Sequence, residues 1–249
     1  MLSHFSLRNA PFPERVAAAA SAGFAGIGLY VGEYLRLLGE GWTDERLGEV
    51  LEEHGMRIVE LEVLNLETRR GEQDLFHLAA TFHPRHMQVV PGLGREADLD
   101  ALTATFVEVC DRAAEFDLLI AFEYLPFTGV PDAVSAMRIV DAASRANGGL
   151  CADSWHHFRG TQAPFPSTAV RSIQIDDGPF VPDDPDSLHA CLHSRRPPGE
   201  GEFPLAGWLA MLPHDVPMSV EVISDELDRL PPAEVALRLA SATRRVLAA

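Results

Sequence analysis

Short apolar runs alternate along the whole chain with stretches of helical periodicity. The runs are residues 2–7, 25–30, 57–64, 86–90, 118–125, 148–153, 170–176 and 217–224, and helical patterns fill most of the gaps between them. Strands separated by helices cannot pair through hairpins, so they line up in parallel and need cover on both faces. Eight such runs in 249 residues match the usual size of a closed (β/α)₈ TIM barrel. An open doubly wound sheet is the weaker alternative, because no GxGxxG follows the first run. The expectation is therefore an α/β chain forming a single barrel domain over residues 1–249. Local signals agree: Thr43 caps a helix with Asp44 and Glu45 in its first turn, and Gly55 lies beyond its end. The polar, proline-rich segment 177–204 is too long for an ordinary connection and reads as a functional lid or a disordered stretch.

Charge removes whole classes of function. The formal net charge is −17, which repels polyphosphate backbones and anionic lipid, so neither nucleic acid nor a membrane is expected as a partner. All 20 basic residues are arginine, so Schiff-base chemistry on a lysine is excluded, pyridoxal phosphate enzymes included. The three cysteines are far apart, and Cys151 sits inside an apolar run as a core thiol. With no basic leader and no apolar stretch of membrane-spanning length, a cytoplasmic protein is expected, with room for a homo-oligomer.

The chemistry gathers at the ends of four successive runs. Glu123 ends AFE, Asp153 ends CAD, Gln174 lies in SIQID and Glu221 lies in SVEVI. Taken singly, each has an ordinary explanation as a loop carboxylate, a helix cap or a cross-strand amide. Four of them in register on neighbouring strands converge above the barrel axis, where catalytic groups of such barrels sit. Three carboxylates crowded there repel strongly unless a cation lies between them.

These residues carry a family resemblance. Glu123, the DSWH of residues 153–156, the QIDD of residues 174–177, Glu221 and the basic turn RRPPGEGEF of residues 195–203 resemble the xylose-isomerase-like superfamily, over essentially the whole chain. The resemblance implies that Glu123, Asp153, Gln174 and Glu221 bind one divalent cation. Many members carry histidine at the position of Gln174, and an all-oxygen set favours Mg²⁺ or Mn²⁺ over zinc. It also implies catalytic roles for Glu123, Glu221 and His156, and substrate contacts for Arg195. Glu62 is close enough to the rim to reach a substrate, and Trp155 offers an apolar wall. His157 reads as structural, and the HxCxH run at His189, Cys191 and His193 reads as incidental. The implied activity is a sugar isomerase or epimerase working by proton abstraction next to a carbonyl held by the cation, on a sugar-like small molecule. Its rival is a dehydratase of keto-inositol or 3-dehydroshikimate type, with His156 as general acid.

Overall fold

The computed structural model describes residues 1–94, 96–182 and 184–249. Among them, seven parallel strands run in chain order around one sheet: β1 (Ile27–Tyr30), β2 (Ile58–Asn65), β3 (His86–Val90), β4 (Leu119–Glu123), β5 (Gly148–Asp153), β6 (Val170–Ile175) and β7 (Met218–Val220). Leu2 closes the ring, bridging in parallel to Ile27 on one side and to Val220 on the other. The predicted α/β barrel is thus the fold. Its eighth position is held by a single bridging residue.

Residues 4–7 differ from the expected strand. Ser3 accepts from the Phe5 amide at 3.1 Å and caps a 3₁₀ turn over His4–Leu7, while the Ser6 hydroxyl donates to the Val220 carbonyl at 3.0 Å. A capping hydroxyl at the third residue competes with extension, and here the turn wins. β7 is also shorter than its apolar run, so Glu221 lies just past its end.

Helices cover the outside of the barrel: α1 (Phe12–Ser21), α2 (Val31–Gly39), α3 (Asp44–Glu53), α4 (Glu72–Phe82), α5 (Leu99–Ala113), α6 (Ala133–Ala143), α7 (Ser154–Arg159), α8 (Ser187–His193), α9 (Leu205–Leu209) and α10 (Pro232–Leu247). Their starts are chemically marked. Thr43 accepts from the Arg46 amide, Asp98 from two first-turn amides, and Asp132 forms a capping box with Ser135. The apolar core lies between strands and helices, through Leu29, Leu61, Phe106, Phe122, Ile139 and Leu239. Period-two alternation then turns the other side chains of each strand inward, and those are largely polar. Among the described residues no helix is long and apolar enough to cross a membrane.

One buried carboxylate ties residues 196–203 back to the end of β6. Asp177 accepts from the amides of Gly178 and Gly199 at 2.8 Å and of Phe203 at 3.0 Å, and its backbone bridges to Arg196. A Cβ on Gly201 would lie 2.2 Å from Asp177 Oδ1, so the GxG turn closes only around glycine. Replacing Asp177 by alanine leaves three amides without their acceptor and is expected to cost about 3 kcal/mol. The denaturant midpoint should fall with an unchanged slope, and a midpoint at the wild-type value would refute this anchoring role.

Candidate active site

The inward positions of β2, β3, β4, β6 and the residue after β7 build a buried polar belt. Gln88 donates through one amide nitrogen to Glu123 Oε2 at 2.8 Å and to Gln174 Oε1 at 3.2 Å. Gln174 in turn donates to Glu221 Oε1 at 3.1 Å and to Glu60 Oε1 at 3.5 Å, and Glu60 also meets His86 Nε2 at 2.9 Å. Three of the four residues expected to bind metal, Glu123, Gln174 and Glu221, are therefore linked side by side. Gln88 was not anticipated. Its signal was the alternation of His86 and Gln88 with apolar neighbours in HMQVV, the pattern of a strand with a polar inner face.

Asp153, the fourth, ends β5 and caps α7 by accepting from the His156 amide at 2.9 Å. That cap fixes the start of the helix and brings His156 back over the strand end. His156 is buried, with Nε2 3.4 Å from Glu123 Oε1, too poorly aligned to count as a hydrogen bond. Burial pushes its imidazole down to about 4, helped by Arg195 and opposed by Asp153, so it is neutral near pH 7. It floors a small cavity lined by Pro126, Phe127, Trp155, Arg159 and Pro182.

Arg195 stands inside the cluster. Its Nη1 donates to Asp176 Oδ2 at 2.7 Å, Glu221 Oε2 at 3.0 Å and Asp153 Oδ2 at 3.2 Å, while Nε donates to the Cys191 carbonyl at 3.0 Å. Only 3 % of the residue is exposed. Asp176, held by the Ser154 hydroxyl at 2.7 Å, is a member of the site that sequence reasoning passed over inside QIDD. Trp155 is also buried, with Phe203 at 6.1 Å and Arg159 over its ring at 4.6 Å, and forms the inner wall of the cavity. Glu62 lies away from that cavity. It is fully buried behind the N-terminal turn, accepting from the His4 amide at 3.0 Å and lying 3.1 Å from the Ser3 hydroxyl, which is equally close to Glu221. His157 packs on Trp208, ring centres 5.6 Å apart.

The charge balance is lopsided. Glu60, Glu62, Glu123, Asp153, Asp176 and Glu221 are all buried, and Arg195 pairs with three of them, Asp153, Asp176 and Glu221. Burial and neighbouring carboxylates hold Glu123 and Glu62 well above the ordinary range. Burial lifts Glu221 to about 7, against the pull of Arg195. Among the described residues Glu123 Oε1 is buried without a hydrogen-bond partner, and Glu123, Asp153 and His156 offer ligand atoms all within 4.8 Å of one another. An unsatisfied carboxylate oxygen in a cluster short of positive charge fits a divalent cation.

His156 makes a pH prediction. Its folded pKa of about 4 lies below its unfolded value of 6.5, so its neutral burial stabilises the fold above pH 6.5 and that contribution is lost as pH falls toward 4. The stability difference between wild type and His156→Gln should shrink by about 3 kcal/mol between pH 7 and pH 4. A pH-independent difference in paired urea titrations would contradict a buried neutral imidazole.

Residues 16–245 match the family described as the xylose isomerase-like TIM barrel. A 3-dehydroshikimate dehydratase of Pseudomonas aeruginosa is 29% identical over 233 residues, covering 86% of this chain and 36% of the relative, so the chain spans about a third of that protein's length. The IolI protein, whose crystal structure holds a zinc atom, superposes with a TM-score of 0.81 at 20% identity, over 99% of this chain and 97% of the other. D-allulose 3-epimerase from Methylomonas sp. does so at 0.73 and 15% identity, over 99% and 96% of the two chains. With the strand order, the rim carboxylates and the match over nearly its whole length in agreement, this chain belongs to the xylose isomerase-like TIM barrel family.

Proposed function

We propose that this chain is a divalent-metal-dependent lyase that removes water from a cyclic polyhydroxy ketone bearing an acid group, a substrate of the 3-dehydroshikimate type. The observation that carries the reading is the buried neutral His156, poised between the carboxylates and the small cavity. Similarity to a 3-dehydroshikimate dehydratase over 86% of the chain supports it. Glu123, Asp153 and Glu221 would hold the cation, with Gln174 as the amide member of the set; when bound, the ion supplies the positive charge that stabilises an enolate oxygen.

The protein's own groups then account for the proton. Neutral His156 takes the proton next to the carbonyl and becomes imidazolium, and the C–H electron pair enters the enolate. As the enolate collapses, a C=C bond forms, the β-C–O bond breaks, and His156 returns its proton to the departing hydroxyl as water. One residue serves as base and then acid. Trp155 and Phe127 exclude solvent from the cavity, and Arg159 at its edge is the cation suited to the substrate's acid group.

An isomerase or epimerase is the second reading, favoured by the presence of two carboxylates, Glu123 and Glu221, around one point and by the fold shared with D-allulose 3-epimerase. In that case one carboxyl removes the proton and the other returns one to carbon. Incubation with 3-dehydroshikimate, keto-inositols and ketoses in D₂O separates the two. The lyase yields a product lighter by one water with new ultraviolet absorption, and His156→Ala should lower its rate at least about a hundredfold. A product of unchanged formula, carrying deuterium at carbon, would replace the lyase by the isomerase.

Metal content tests the centre itself. The protein should hold about one Mn²⁺ or Mg²⁺ per chain, and Asp153→Ala and Glu221→Ala should each lose most of it. Because Glu221 titrates near 7, affinity should climb as pH rises through that value, the ion displacing a proton, and level off above it. Unchanged metal in either variant would remove that residue from the ligand set.

A further inference from the structure

We propose that His189 and His193 on the outer face of α8 form a second metal site, for a borderline transition-metal ion such as Zn²⁺ or Cu²⁺. The two residues are four apart on one helix, so they project from the same face one turn from each other. Their rings stack with centres 4.2 Å apart and planes inclined by 20°. Each ring is held from behind by a carboxylate, His189 Nδ1 by Asp184 Oδ2 at 2.6 Å and His193 Nδ1 by Asp225 Oδ1 at 2.8 Å. A carboxylate only accepts, so each Nδ1 carries a hydrogen; in the neutral ring that a metal ion binds, each Nε2 then presents the lone pair. That carboxylate–imidazole arrangement is the one that orients metal-binding histidines and raises their basicity. His189 is 57% and His193 34% exposed at the side chain, and among the described residues neither Nε2 has a partner.

Two imidazole nitrogens at about 2.0–2.1 Å from one ion lie roughly 3 Å from each other, so the rings need only tip together, with water completing the coordination. Arg8 shares Asp225 at 3.2 Å and offsets part of its charge, leaving the two imidazoles as the dominant donors. Nitrogen donors suit Zn²⁺ and Cu²⁺, whereas the carboxylate and amide set proposed for the barrel centre suits Mg²⁺ or Mn²⁺, so the two sites favour different ions. The opposite face of α8 is tied to that centre: the Cys191 carbonyl and sulfur accept from Arg195 at 3.0 and 3.1 Å. An ion on the outer face therefore stiffens the helix that anchors the guanidinium.

Calorimetric titration of the Mn²⁺-loaded full chain with Zn²⁺ should show one site that His189→Gln and His193→Gln each weaken at least about tenfold. Asp225→Asn should weaken it too, the usual scale for a carboxylate behind a ligand being about ten- to a hundredfold. Cu²⁺ bound to wild type should show electron paramagnetic coupling to two imidazole nitrogens, reduced to one in either single variant. Exchange of Zn²⁺ into the barrel centre would occur equally in wild type and in the double variant His189→Gln/His193→Gln, which leaves the centre intact. If that double variant binds Zn²⁺ with the same stoichiometry and affinity as wild type, the site does not exist. The outcome is independent of which reaction the barrel catalyses.

Discussion

The packing of several carboxylates around one buried guanidinium governs the rest of this structure. Bringing Asp153, Asp176 and Glu221 out of water costs several kcal/mol for each ionised group unless charge or hydrogen bonds compensate. Arg195 compensates all three through a single nitrogen, and Ser154, Gln174 and Ser3 supply further contacts. Burial, with the neighbouring carboxylates of Asp153 and Glu60 behind it, outweighs the pull of Arg195 and lifts Glu221 to about 7. The same deficit of positive charge that makes the centre costly is what fits it to a divalent cation.

The barrel delivers this arrangement through alternation. Residues two apart on a strand face the same way, so Glu60 and Glu62, and His86 and Gln88, stack in pairs along the inner wall, and Asp176 follows Gln174 just past the end of β6. Gln88 has a particular part in that wall. By giving one hydrogen to Glu123 Oε2 and the other to Gln174 Oε1, it leaves Glu123 Oε1 bare toward His156. The helix cap at Asp153 does the complementary job from the next strand, fixing the backbone that carries His156.

Dehydratases and epimerases share this scaffold for a chemical reason. Both begin by removing a proton next to a carbonyl, and both need the resulting negative charge stabilised at one place. They part only at the next step, where one returns a proton to carbon and the other expels a hydroxyl. That choice rests on which group holds the proton at that moment. In the reaction proposed for this chain, the buried imidazole of His156 beside the small cavity is the group that holds it.

The amino-acid sequence by itself determined the barrel and the placing of Glu123, Asp153, Gln174 and Glu221 at or beside the ends of four successive strands. Those properties are local: apolar runs mark strands, their spacing marks parallel crossovers, and a polar residue at a strand end reads the same way wherever the strand packs. Residues 4–7 escaped because a serine cap one residue upstream outweighed an apolar pattern. Tertiary structure alone decided that Asp176, Gln88 and Glu60 join the centre, that Arg195 is buried among carboxylates, and that Glu62 sits behind Ser3 and His4. Each of these depends on contacts between residues remote in the chain, as in the bond from Gln174 to Glu60 across 114 positions, and on the buried dielectric that only the closed barrel creates.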